Sequence, residues 1–349
     1  MSTADQPEKH FPDVDDPYVS ISSADAVVHL EYTASTLPSL QEVAEGHGGG
    51  QWTRFVCISD THTKTFDVPE GDVLLHSGDL TNTGTEKQMK TTMEWICGLP
   101  HEVKVVIAGN HDLSLHRDWY KDKQWKRWHD KKQVAGKKAK KAGVVYLENE
   151  KATFQVSPDR REWTVYGSPW SPEFYNWAFN YLRSEGEATV SQYQNADILL
   201  THGPPHKIFD QTTQELEVGC ENLAEHITRG RLRPRLHLFG HIHEAHGAHI
   251  HSWESPGPCE PLHVQNDINY PIELTESDDE DEVAHVEEVR AMTEKVRNQA
   301  EERNQNAELR RTVFVNGANE SAGRTSWKGE KKVAHGGPGF RAVVVDLRD

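Results

Sequence analysis

Seven residues of metal-binding type stand at one kind of place in this chain, the polar end of a short apolar run. Asp60 and His62 end the run RFVCISDTH, Asp79 ends DVLLHSGD, and Asn110 ends VKVVIAGN. His202 ends ADILLTH, and His241 and His243 end LHLFGHIH. Carboxylate, amide oxygen and imidazole together suit divalent Mn, Fe or Zn. Two such ions roughly 3.5–4 Å apart clamp the attacking and leaving oxygens of a phosphoryl displacement. Holding them side by side calls for a bridging carboxylate, with neutral donors completing each shell. Asp and Asn beside Gly are also ordinary turn formers, so each residue alone carries little. It is the ordered set, spread over five strand ends, that points to one site.

The stretch RLHLFGHIHEAHGAHIHSW holds six of the 21 histidines. Only His241 and His243 directly follow an apolar run, and their alternate spacing lets them reach different metals. His237 lies inside the run and is expected to pack within the fold. His246, His249 and His251 continue into the next turn and strand as bystanders.

These residues need a scaffold that brings distant strand ends together. The apolar runs, joined by GVVYL and WTVYGSPW, alternate with helical stretches around Glu86–Cys97 and Leu216–Thr228. That rhythm predicts an α/β fold with much parallel sheet, whose ligands gather at the carboxyl ends of the strands. Residues 1–51 read as a polar, partly disordered extension with a short strand around Ala26–Tyr32, ending in the flexible joint EGHGGG. Residues 52–274 read as the core. Residues 275–311 open as an acidic block and continue as a polar helix former with the thin stripe Val286, Val289, Met292 and Val296, an inserted segment that is solvated or disordered. Residues 312–349 return with TVFVNGAN and FRAVVVDL to complete the core.

Composition bounds the function. The 349 residues are 35% hydrophobic and 27% charged, with a formal net charge of -17. That charge disfavours nucleic acid or an anionic membrane as the partner of the whole surface. No run is long and apolar enough for a transmembrane helix, and the N-terminus lacks a signal-peptide pattern. Cys57, Cys97, Cys220 and Cys259 are scattered without a C-x-x-C pair, which fits an intracellular, cytoplasmic or nuclear protein.

The set Asp60-x-His62, Gly78-Asp79, Gly109-Asn110-His111-Asp112, His202-Gly203, Gly240-His241-x-His243 resembles the calcineurin-like metallophosphoesterase superfamily. Longer stretches such as GDVLLHSGDLTNTG, YGSPWSPEFYNWAFN and THGPPHKIFD are similar to its metallophosphoesterase-domain-containing branch. The resemblance implies a four-layer α/β/β/α sandwich of two mixed sheets flanked by helices. It implies two divalent ions, with Mn first and Fe, Zn, Mg or Co as alternatives. Asp60, His62 and His243 would hold one ion, and Asn110, His202 and His241 the other, with Asp79 bridging. His111, oriented by Asp112, would act on the phosphate or protonate the leaving oxygen. The expected activity is hydrolysis of a small phosphodiester, such as a cyclic nucleotide. A phosphomonoesterase and a catalytically quiet nucleotide-binding scaffold are the alternatives.

Around this set, Asn110, His111, Gly203, Trp170, Asn176 and His206 are candidates for the substrate pocket. The aromatic stretch GSPWSPEFYNWAFN would either stack a base or simply cover the sheet edge. The basic segment Lys121–Ala142 reads as a solvated helix face. The acidic insertion names no protein partner.

Overall fold

Side chains alternate along the strand Trp52–Ile58 and so divide the molecule into layers. Phe55 and Cys57 join one buried cluster with Trp163, Val165, Ile198, Leu200, Leu236, Leu238, Val313 and Val315. Val56 and Ile58 join another with Met89 and Ile96 of the helix Glu86–Gly98. The computed structural model describes residues 19–30, 32–133, 143–253, 311–320, 326–328, 331–333 and 341–349. The inserted segment up to residue 310, Cys259 and residues 134–142 of the basic segment lie outside them.

The first sheet runs Ala26–His29, Val343–Arg348, Trp52–Ile58, Val73–His76, Val103–Val106 and Val144–Tyr146. Its last four strands are parallel, and Val343–Arg348 is antiparallel to both of its neighbours. The second sheet runs Val19–Ser20, Gly247–Ser252, Arg311–Asn316, Leu236–Phe239, Ile198–Thr201, Trp163–Ser168 and Glu150–Phe154. Its four strands from Arg311–Asn316 to Trp163–Ser168 are parallel, and the outer strands are antiparallel. The fold is therefore α/β with two mixed sheets packed face to face. Val73–His76, Ile198–Thr201 and Leu236–Phe239 are buried along their whole length, because both faces are covered. That is why they read as largely apolar runs.

Thr85 caps the helix Glu86–Gly98 in a capping box with Gln88. Met89, Thr92 and Ile96 form its buried face, at helical spacing. The later helix begins at Glu221 and not at Leu216 as its composition suggested. Leu216 and Val218 instead bond back to Thr212 and Asp210, and the extended Cys220 caps the helix with its sulfur. A Cβ at Gly219 would lie 2.5 Å from the Pro205 carbonyl, so the chain passes there too closely for a helical turn of larger residues. Among the described residues, no helix is long and apolar enough to cross a membrane.

The strand ends converge where the two sheets meet. Ser59 N–H donates to Gly317 O at 2.8 Å, and Gly240 N–H donates to His202 O at 2.9 Å. Asp60 N–H reaches Gly78 O at 2.9 Å, and His62 N–H reaches Asp79 O at 3.0 Å. These bonds lace adjacent strand ends into one rigid edge.

Candidate metal centre

Four of the seven expected ligands hold their backbones in the left-handed region: Asp60 at φ 53°, His62 at 46°, Asp79 at 53° and His241 at 70°. Residues with a Cβ seldom adopt this conformation, and when they do at a strand end it redirects a side chain that would otherwise follow the strand. Two glycines make room for the carboxylates. A Cβ on Gly109 would lie 2.2 Å from Asp79 Oδ1, and one on Gly240 would lie 2.0 Å from Asp60 Oδ2.

The side chains meet at coordinating distances. His243 Nε2 is 3.2 Å from Asp60 Oδ1 and 3.4 Å from His62 Nε2. Asp79 lies between two histidines, with Oδ2 3.7 Å from His62 Nε2 and Oδ1 3.5 Å from His202 Nε2. Among the described residues, three overlapping groups have donor atoms close enough to share an ion: Asp60, His62 and His243; His62, Asp79 and His111; Asp60, Asp79 and His202. Asn110 Oδ1 adds an oxygen 2.8 Å from His202 Nε2. The His241 ring packs beside His202 with centroids 5.0 Å apart, and its backbone N–H donates to Asp60 Oδ2 at 3.0 Å.

The charges suit a cation. Burial holds the His62 and His202 imidazoles below their ordinary pKa and takes His241 down to about 3, so all three are neutral donors. Burial would raise Asp60, but the hydrogen bond and charge of His243 outweigh it and keep Asp60 ionised. Burial opposes the charge on His243 too, and Asp60 overcomes it. Burial and the charge of Asp60 push Asp79 well up. Positive charge between the two carboxylates would reverse that push.

One contact tests the fit directly. His202 Nδ1 faces Ser77 O at 3.0 Å while its Nε2 faces Asn110 Oδ1 at 2.8 Å. A neutral imidazole carries one proton, so one of its nitrogens must point a lone pair at an oxygen. With the proton on Nδ1, Nε2 presents its lone pair beside the Asn110 amide oxygen, so both atoms are placed to serve one cation. The oxygen and nitrogen donor set therefore fits divalent ions.

His111 is held differently from the sequence expectation. Its Nδ1 bonds to Asn82 O at 2.8 Å, not to Asp112. Asp112 is fully buried and accepts from Leu80 N, Thr81 N, Thr81 Oγ1 and Gly109 N at 2.7–3.1 Å. Those four donors take up the carboxylate, so Asp112 ties two loops together and Asn82 orients the histidine. Trp177 stacks on the His111 ring at 4.0 Å, and Trp128 packs on Trp177 at 4.1 Å. Burial takes His111 down to about 4. Its backbone N–H donates to Asp79 Oδ1 at 2.8 Å.

The pocket candidates separate. Asn176 is exposed next to Trp177, and Gly203 follows His202. Trp170 packs on His116 and Phe179, inside an aromatic cluster that also takes in Trp119, Trp125 and Trp128. His206 faces Asp210 and Glu217 at 3.4 and 3.8 Å, which places it in its own acidic loop. Trp125 and Trp128 lie in the basic segment, so its described part packs aromatic rings and is not a purely solvated face. Trp177 belongs to the aromatic stretch expected to stack a base or cover the sheet edge, whereas nothing in the sequence pattern marks Asn82 or His76 as part of the site. His76 is buried and bonds Thr61 Oγ1 at 3.0 Å, which steadies the Asp60–His62 turn. It lies in the run DVLLHSGD, of which only Asp79 was expected to bind metal.

Among the other histidines, His237 is buried on its strand and bonds Thr201 Oγ1 at 2.9 Å. His237 and His249 flank Phe314 in register on adjacent strands. Burial lowers His237 from 6.5 to about 3. An unfolded chain therefore takes up this proton below about 6.5 while the folded one refuses it, so stability falls as pH drops from about 6.5 toward 3. His237→Phe removes the effect. Between pH 7 and pH 5 the variant should lose about 2 kcal/mol less stability than the wild type, as read by urea unfolding at the two pH values.

Comparison with known proteins places this geometry. A family model described as Calcineurin-like phosphoesterase matches residues 47–245. The human and mouse proteins named Metallophosphoesterase domain-containing protein 1 are each 38% identical over 211 residues, covering 56% of this chain. The chain spans 62% of the length of each of these relatives. An Emericella nidulans protein named "Probable rhamnogalacturonate lyase C" is 34% identical over 201 residues, covering 58% of this chain and 18% of its own length.

Proposed function

Because the chain belongs to the calcineurin-like phosphoesterase family, we propose that it is a two-metal phosphodiesterase acting on cyclic nucleotides or similar small phosphodiesters. The observation that carries this reading is Asp79, whose two oxygens face His62 on one side and His202 on the other. A carboxylate so placed is what a pair of adjacent cations requires. Asp60, His62 and His243 would hold one ion, Asn110, His202 and His241 the other, and Asp79 both. Manganese is the first choice. Bound divalent ions supply Lewis-acid polarisation of phosphoryl oxygens and a water acidic enough to attack at neutral pH.

The chain's own groups do the rest. Asn82 O fixes the His111 proton on Nδ1, so Nε2 is the atom that takes up and delivers the proton to the leaving oxygen. Trp177 holds the ring plane and keeps water from its face. Next to His111 and His241 stand the rings of Trp177 and Phe174. Aromatic surroundings suit a diester, with its single negative charge, better than a doubly charged monoester.

With Mn²⁺, the purified protein should hydrolyse bis-p-nitrophenyl phosphate and lose that activity in EDTA. A panel of 2′,3′- and 3′,5′-cyclic nucleotides beside p-nitrophenyl phosphate then reads diester against monoester. Absence of metal-dependent turnover would sink the enzyme reading, and faster turnover of the monoester would sink the diester preference.

A further inference from the structure

Six large apolar side chains are exposed among the described residues, and the two aromatic ones, Phe174 and Tyr175, are neighbours. Phe174 is 49% exposed and Tyr175 is 75% exposed. They meet edge to face at 4.6 Å, and Phe174 stands edge-on to the His241 ring at 5.8 Å. Three residues further on, Trp177 of the same loop stacks on His111. One loop thus touches both the metal-ligand side and the proton-donor side of the cluster.

The loop is built to hold these rings out. Its base is fastened by Ser171 N–H to Phe179 O at 3.0 Å, Glu173 N–H to Tyr181 O at 2.9 Å and Phe179 N–H to His116 Nδ1 at 3.0 Å. Between those ties Tyr175 and Asn176 take left-handed backbones, at φ 54° and 50°. Left-handed conformations disfavour a Cβ, and exposed aromatic surface forgoes burial energy. The turn sets Phe174 beside His241 and Trp177 on His111, and the aromatic surface it leaves open is covered when a flat ring lies on the exposed pair.

We propose that Phe174 and Tyr175 form a subsite for a flat aromatic group of the substrate, so that the preferred diester carries a nucleobase or aryl ring. This rests on the phosphodiesterase reading of the adjacent cluster. The ring seated on Phe174 sets where the ester lies relative to His111, because Trp177 fixes His111 from the same loop.

The test compares two substrates with the same leaving group, thymidine 5′-(p-nitrophenyl phosphate) and methyl p-nitrophenyl phosphate. The wild type should favour the thymidine ester in KM. In the double variant Phe174→Ala, Tyr175→Ala that preference should shrink by about 5- to 150-fold, the range that stacking of one base supports. Tyr175→Phe keeps the ring and should keep the preference. Phenyl p-nitrophenyl phosphate separates the two ligand sources: a shared gain means any flat ring, and a gain confined to thymidine means a base. Calorimetric binding of adenosine 5′-monophosphate against ribose 5-phosphate reads the same subsite without turnover, and the double variant should lose the adenosine advantage. Equal losses on both substrates, or a wild type with no preference in either assay, overturn the subsite. Failure of the wild type to hydrolyse any diester overturns the phosphodiesterase reading instead, and the binding comparison still judges the rings.

Discussion

Asp79→Asn should cut kcat/KM for bis-p-nitrophenyl phosphate at saturating Mn²⁺ by at least about 10³-fold, equivalent to about 4 kcal/mol of lost transition-state stabilisation. Asparagine matches aspartate in shape, so Oδ1 still accepts from His111 N–H and the loop geometry is kept. What is lost is the negative charge facing His62 and His202 together. Without it, two dications held side by side would repel each other unscreened. Loss of an outer partner that only orients a ligand costs about 10–100-fold, and removing a shared ligand must exceed that. Bound metal, counted by mass spectrometry of the dialysed protein, should fall from two ions per chain to one or none. Circular dichroism should remain that of the wild type. Turnover within tenfold of the wild type would mean that Asp79 is not the shared ligand.

Much of this site could be read from the chain before any coordinates, for a physical reason. A strand covered on both faces is mostly apolar, as in the first three residues of Val73–His76 and of Ile198–Thr201, so the polar stretch that follows marks where the backbone approaches the end of the layer. Asp79 and His202 stand just beyond such ends. Contacts made across the fold were harder to foresee. Asn82 orients His111 through a main-chain carbonyl, which leaves no trace in residue type. Asp112 neighbours His111 in sequence, yet its oxygens turn back to Leu80, Thr81 and Gly109. Trp128 looked like part of a charged surface run, and only the tertiary fold stacks it on Trp177. The early end of the helix prediction at Leu216 has a similar cause, because Gly219 must pass close to Pro205. Local pattern reported where the chain leaves a layer. It did not report which backbone carbonyl or ring waits there.

His111→Gln should separate two kinds of leaving group. A positioned acid contributes about 10²–10⁴-fold when the departing oxygen needs a proton. The ribose oxygen released from a 2′,3′-cyclic nucleotide is such a group, since an alkoxide leaves poorly. Nitrophenolate is stable as an anion and needs no proton. The variant should therefore lose about 10²–10⁴-fold in kcat on the cyclic nucleotide and at least tenfold less than that on bis-p-nitrophenyl phosphate. Geometry supports this assignment. The Nδ1 proton is tied to Asn82 O, and Trp177 stacks on the ring, so Nε2 is left as the reactive nitrogen. Glutamine keeps a polar side chain of similar reach but cannot pass a proton at neutral pH. Because burial holds the free imidazole to about 4, the ring is neutral before substrate arrives. An anionic phosphate beside Nε2 favours the protonated ring, so the acid forms where it is used. Equal losses on both substrates would assign His111 to charge stabilisation at phosphorus and remove it as the proton donor.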